Sequence, residues 1–75
     1  MMNKIERMSG TVKKMLYEKK LGLMDVVLDD GKQVTATWEV TDTTPRYSAG
    51  DKVEGNGFWI VNSTYGTQFS INEHL

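Results

Sequence analysis

The chain has 75 residues and a formal net charge of −1, which suits one small domain and excludes a protein that is cationic throughout. It has no cysteine, so disulfides and thiolate metal sites are excluded. Because no apolar run approaches the ~20 residues that span a bilayer, and the first residues lack the apolar stretch of a signal peptide, the default expectation is a soluble cytoplasmic protein.

The charge is unevenly distributed along the chain. Residues 1–20 contain six basic and two acidic side chains, whereas residues 21–75 contain three basic and eight acidic ones. This asymmetry permits an anion-binding strip near the N-terminus, although a run of charge is about as often only a solvated surface.

The first eight residues show weak helical spacing of apolar side chains and no helix cap. Residues 1–8 are therefore predicted to form a flexible arm or a frayed helical turn. A single ordered domain is predicted for residues 9–75.

Residues 11–17 form the first predicted strand. Its apolar alternation breaks where Lys13 and Lys14 are adjacent, and a β-bulge at that point would restore the pattern. Glu18-Lys19-Lys20 then reads as a polar hairpin loop.

Residues 21–28 and 33–41 are the second and third predicted strands. The segment Asp29-Asp30-Gly31-Lys32 joins them, and Asp-Gly between alternating apolar residues is a strong hairpin signal. The third strand alternates clearly, and its apolar side is predicted to face the core: Val34, Ala36, Trp38 and Val40.

The remaining residues predict a loop and a second hairpin. Residues 42–51 contain the only proline and read as a loop. Residues 52–61 form the fourth predicted strand, in which Gly55 and Gly57 indicate a bend or a close backbone approach. A turn follows, and residues 67–72 form the fifth strand.

Five short strands without a convincing helix predict an all-β fold with a closed or nearly closed sheet, because a flat sheet would leave long edges exposed. The order, a three-strand meander followed by a loop and a hairpin, matches a small five-stranded OB-like barrel. The helix that usually joins strands three and four is reduced to a loop. An SH3-like barrel is the alternative.

The last hairpin carries a distinctive pattern, with Gly-x-Trp on one strand and Tyr-Gly-x-Gln-Phe after it: Gly57, Trp59, Tyr65, Gly66, Gln68 and Phe69. This pattern resembles the N-terminal OB domain of RecD-like DNA helicases, and the similarity extends over residues 9–72. The chain lacks the phosphate loop of a helicase motor. The resemblance therefore implies a free-standing accessory domain that binds and does not catalyse.

Single-stranded nucleic acid is held by aromatic rings that stack on bases and by a groove of positive charge. In an OB fold this face is centred on strands two and three, with the loops between strands 1–2 and 4–5 as rims. The predicted contacts are Lys13, Lys14, Lys19, Lys20, Arg46 and Tyr47, with Thr35, Thr37 and Trp38 on the face and Asn62 on the second rim.

Most of the aromatic rings have a structural alternative. Trp38 lies on the apolar side of its strand, and core packing is its more favoured role. Trp59 and Tyr65 are expected mainly to fasten the last hairpin. Tyr47, in a loop beside Arg46, is the best candidate for an exposed ring.

The sequence gives no sign of an enzyme, a metal site or a cofactor. His74 is the only histidine and lies next to the C-terminal residue, which argues against a triad or a histidine metal site. The predicted function is weak, salt-sensitive binding of single-stranded nucleic acid, DNA rather than RNA, as an accessory to DNA recombination, repair or replication. The alternative is a protein-interaction module, such as a phage- or plasmid-type modulator that binds a partner protein or self-associates.

Overall fold

The computed structural model describes residues 4–64 and 66–75, without the side chain of Asn62. Within these ranges the chain forms five strands: β1 (Glu6–Glu18), β2 (Leu21–Leu28), β3 (Gln33–Glu39), β4 (Lys52–Asn62) and β5 (Gly66–His74). No helix long and apolar enough to cross a membrane occurs in the described ranges.

The five strands close into a barrel in the order β1-β2-β3-β5-β4. The pairing of β3 with β5 is parallel, and the other four pairings are antiparallel. A loop of residues 40–51 connects β3 to β4 where a helix would usually lie. The predicted OB-like barrel is therefore confirmed in preference to the SH3-like alternative.

Alternation along each strand directs one apolar row into the barrel. Nine hydrophobic residues of the described chain form the buried core: Met8, Val12, Met24, Val26, Ala36, Trp38, Val53, Phe69 and Ile71. Full burial of a side chain as large as Phe69 stabilises the fold by about 2 kcal/mol. The predicted apolar side of the third strand is confirmed, because Ala36 and Trp38 are buried and Val34 and Val40 pack against the core.

Two irregularities bend β1 around the barrel. The β1–β2 register shifts between Val12 and Lys14, as the sequence predicts, and again between Met15 and Tyr17. After the first shift Met15 still packs against the core. After the second shift the Tyr17 side chain lies on the exposed side of the strand.

Gly57 lies at a close approach between the backbones of β4 and β5. A Cβ atom at this position would overlap the carbonyl oxygen of Ser70, and the β4–β5 register shifts between Asn56 and Gly57. The close backbone approach predicted from the paired glycines is therefore confirmed.

The predicted N-terminal arm is wrong for residues 6–8. β1 begins at Glu6, which pairs with Gly57 of β4, and Met8 is only 3% exposed. The local pattern missed this segment because its partner strand is about 50 residues away in sequence. Residues 1–3 and Tyr65, with its predicted role in fastening the hairpin, lie outside the described residues.

Candidate nucleic-acid interface

The side of β1, β2 and β3 that points away from the core is a continuous surface. Tyr17 lies opposite Leu23, and Leu23 lies opposite Thr37. Because directly opposed residues share a face of a sheet, their side chains form one row across three strands. We call this surface the outer face, and it comprises Lys14, Tyr17, Leu21, Leu23, Asp25, Thr35, Thr37 and Glu39.

Tyr17 presents the most accessible aromatic ring of the described chain. The residue is 50% exposed, and the Nζ atom of Lys19 lies 5.9 Å from the centre of its ring. This distance is within the range of a cation–π contact. An exposed aromatic ring beside a cation can stack on a base while the ammonium group meets a phosphate.

A groove of about 450 Å³ runs beside Tyr17, and its walls are mostly apolar: Leu16, Tyr17, Leu21, Gly22, Leu23, Thr37 and Gln68. A second groove of about 370 Å³ continues toward β4 and β5. The two grooves share Leu21, Thr37 and Gln68. Together they form a depression that crosses the strands, as an extended ligand would require.

Several lysine side chains beside the outer face form no ion pair with a carboxylate of the described chain. Among residues 4–64 and 66–75, no ion pair involves Lys14, Lys19 or Lys20. In contrast, Arg7 pairs with Glu54 on another side of the barrel. Lysines without carboxylate partners are available to phosphate groups, whereas paired side chains are already neutralised.

The remaining predicted strand lysine, Lys13, has a polar partner. It is exposed, and its ammonium group donates a hydrogen bond to Oε1 of Gln33 at 3.2 Å. A single neutral partner leaves the charge of Lys13 available to the same surface.

Two carboxylates weaken the positive field of the outer face. Asp25 lies opposite Lys14 in the sheet, and Glu39 lies opposite Leu21 near the β1–β2 loop. The hydroxyl of Thr35 donates to Oδ1 of Asp25 at 3.4 Å. Such carboxylates limit the phosphate affinity of the surface.

The predicted threonines lie on the outer face. Thr35 and Thr37 point away from the core, and the Thr37 hydroxyl donates to the carbonyl oxygen of Gly22 at 2.9 Å. Their binding role remains a prediction, because only their position follows from the fold.

Trp38 is not an exposed stacking surface on the outer face, as its predicted contact requires, although it lines the second groove. Trp38 is 2% exposed and belongs to the core. Its ring packs so closely on Gly22 that a Cβ atom there would overlap it. The alternative interpretation from the sequence, a core role, is correct.

Tyr47 is not the freely exposed ring that the sequence predicts. Its hydroxyl lies 2.7 Å from Nδ1 of His74, and its ring meets the edge of Trp38 at 5.5 Å. Burial raises the pKa of Tyr47 and lowers the pKa of His74. The Tyr47 side chain therefore fills one end of the barrel.

Arg46, the residue before Tyr47, is exposed. Its Nη1 atom lies 3.6 Å from Oε1 of Glu18, so its charge is partly offset. Asn62 ends β4 and pairs through its backbone with Gly66, but the predicted contact of its side chain lies outside the described residues. No group of three or more metal-ligating side chains occurs in the described ranges.

Sequence reasoning found Thr37 but missed the apolar residues that line the groove. Leu16, Leu21 and Leu23 are apolar on the side of their strands opposite to the core, and this second apolar side was the available signal for a surface groove. The position of Tyr17 depends on the second bulge of β1. That bulge has no marker in the sequence.

The fold is similar to that of a solved OB-type domain. The crystal structure of the SSB domain of a protein from Synechococcus sp. shares 15% identity with the chain, with a TM-score of 0.65. The match covers 99% of this chain and 94% of that one. No protein-family model and no curated protein matches the chain. The similarity establishes the fold.

Proposed function

We propose that the chain is a non-catalytic module that binds single-stranded nucleic acid on its outer face, DNA rather than RNA. The observation that carries this proposal is the exposed Tyr17 ring with the Lys19 ammonium beside it. The fold that it shares with an SSB domain supports binding of a single strand. The resemblance to a RecD-like helicase domain supports a cytoplasmic accessory role in DNA recombination, repair or replication.

The ligand would cross the strands along the two joined grooves. One base stacks on Tyr17, and the leucine-lined wall of the groove excludes water from the stacked base. Lys14, Lys19 and Lys20 meet the phosphates on either side. Stacking on an aromatic ring tolerates every base, since each base has a π-face.

The charge of the surface predicts weak binding that depends on salt. Each phosphate neutralised on a single strand contributes about −0.7 to the slope of log affinity against log salt. Three lysines therefore give a slope of about −2, and Asp25 and Glu39 keep the affinity low.

Titration of a fluorescently labelled oligothymidine at about 50 mM salt tests the proposal. The native chain should bind, and Tyr17→Ala should weaken binding by about five-fold or more because it removes a stacking platform. Tyr17→Phe is the matched control, since it keeps the ring and should bind like the native chain. Absence of binding by the native chain near about 100 μM would contradict the proposal, because even non-specific contacts register at that concentration.

A protein partner is the second candidate, and exposed leucines favour it. Leu16 is 43% exposed and Leu21 is 57% exposed, and both lie on the wall of the same groove. A modulator that binds a partner protein or self-associates would cover these side chains. Sedimentation of the native chain tests self-association, and Leu21→Lys should abolish any dimer that uses this groove.

A further inference from the structure

Gln68 combines deep burial with a side-chain amide that has no internal partner. The residue is 3% exposed and lies on β5 between Thr35 of β3 and Ile60 of β4. Its neighbour Phe69 points into the core, so Gln68 points to the opposite side of the sheet. In the described part of the chain, no hydrogen bond reaches the Gln68 amide.

The Gln68 side chain lies where the two grooves meet. It lines the groove beside Tyr17 and also the groove toward Ile60 and Asn72. The fully buried side-chain atoms without a hydrogen-bond partner in the described chain do not include the Gln68 amide, so the amide opens into the grooves. An amide in this position can form hydrogen bonds with a ligand that occupies them.

We propose that Gln68 reads a nucleobase edge, and this rests on the function proposed above. The amide donates through Nε2 and accepts through Oε1, which matches a base that presents an amino donor beside a ring-nitrogen acceptor. Adenine offers this pair at N6 and N7, and glutamine binds it in a bidentate manner. In a single strand such edges are open to side chains. Cytosine offers the same pair at N4 and N3, so the ligand is a single strand with adenine or cytosine at this position, and adenine serves as the test base.

Tyr17 and Gln68 would hold different nucleotides. Both line the larger groove, but β2 and β3 lie between their strands. The two residues therefore lie on strands that are not neighbours in the barrel. One base stacks on Tyr17, and a following base reaches Gln68. Tyr17 gives affinity without selectivity, whereas Gln68 gives selectivity at one position.

A double-mutant cycle isolates this contact by combining a substitution of Gln68 with a change of the nucleobase. Oligodeoxyadenosine is compared with the same length of purine deoxynucleotides, which keep both rings but lack the exocyclic amino group. The native chain should bind the adenine strand about five-fold or more tighter. Gln68→Met keeps the length of the side chain without its hydrogen-bonding groups. It should reduce the difference between the two strands to near unity, with an unchanged salt slope.

Gln33→Met is the matched control, because Gln33 is exposed and lines neither of the two grooves. It should keep the full preference for adenine. A Gln68→Met variant that folds and retains the native preference would overturn the proposal. If native binding is clear and depends on Tyr17, that result rejects only the role of Gln68. Failure of the native chain to bind either strand rejects the proposed function itself.

A measurement on the native chain covers the case in which Gln68→Met does not fold. The chain contains two glutamines, Gln33 and Gln68, so their side-chain amide signals can be assigned by NMR. Addition of oligodeoxyadenosine should shift the Gln68 signals more than those of Gln33, whose side-chain oxygen accepts a hydrogen bond from Lys13. Unchanged Gln68 signals in the bound state would overturn the proposal.

Discussion

The hydroxyl of Tyr47 lies 2.7 Å from Nδ1 of His74 and fastens the β3–β4 loop to the end of β5. The Trp38 ring meets both partners edge-on, with ring centres 5.5 Å away for Tyr47 and 6.1 Å for His74. The three rings close the barrel at the connection where a helix would otherwise lie. The short β3–β4 loop can cover this end of the barrel in place of a helix because it contributes the large, half-buried side chain of Tyr47.

Removal of the Tyr47 hydroxyl should destabilise the barrel. Tyr47→Phe keeps the ring packing but leaves Nδ1 of His74 without its partner, and this should lower the free energy of unfolding by about 1 kcal/mol. Urea unfolding measures the change. Tyr17→Phe is the control, because the exposed Tyr17 should change stability by less than about 0.5 kcal/mol. Equal stabilities of the two variants would contradict the structural role of this bond.

Stability should fall as the solution is acidified through the range of the single histidine. Burial lowers the pKa of His74 below its usual 6.5, so the unfolded chain binds more protons than the folded chain below that pH. The stabilisation is complete above pH 6.5, decreases as the pH falls below that value, and levels off below the folded pKa. Urea unfolding at about pH 7.5 and about pH 5.5 measures this difference. His74→Gln should reduce it, and a variant that keeps the native pH dependence would contradict this assignment.

The sequence predicts the parts of the fold that depend on local patterns. Residues 21–28 match β2 to the residue, because alternating apolar side chains and a following Asp-Gly turn mark a strand and its end. The first bulge of β1 was predictable from the adjacent Lys13 and Lys14, which interrupt the alternation. The glycines of β4 similarly indicated a close approach.

The parts that could not be predicted depend on contacts distant in sequence. Met8 is buried because β1 pairs with β4, and Tyr47 is half-buried because the β3–β4 loop folds over the end of Trp38. Gln68 lies on the polar side of its strand, yet neighbouring strands cover it. Of the predicted binding residues, those on β1 and in its following loop have suitable positions. Trp38 and Tyr47 do not, since both serve the barrel itself.

Gly57→Ala should disrupt the β4–β5 pairing. The added methyl group would overlap the carbonyl oxygen of Ser70, and backbone atoms cannot move aside as a flexible side chain could. The expected loss of stability is about 3 kcal/mol. Gly50→Ala is the control, because Gly50 has a φ of 94° and no atom within 4 Å of an added Cβ. Its cost should be only the ~1–2 kcal/mol of left-handed backbone strain. Similar losses in thermal unfolding for the two variants would contradict the close approach.

The lysines of the β1–β2 loop should determine the salt dependence of binding. Replacing Lys19 and Lys20 together by glutamine should make the slope of log affinity against log salt shallower by about 1.4, since two phosphate contacts are lost. The matched control replaces Lys4 and Lys32, two exposed lysines that line neither groove. The control should keep the native slope. Equal changes of this slope in both double variants would contradict a specific role for Lys19 and Lys20. They would show that the lysines act only through the net charge of the chain.

Mapping of the bound strand by NMR locates the binding surface on the barrel. Backbone amide signals of the native chain are followed during addition of a single-stranded oligonucleotide at low salt. We predict that the largest shifts fall on the outer face around Tyr17, Leu23 and Thr37, and in the loop of Lys19 and Lys20. Shifts confined to the β1–β4 side of the barrel, near the Arg7–Glu54 ion pair, would contradict binding on the outer face, as would no shifts at all.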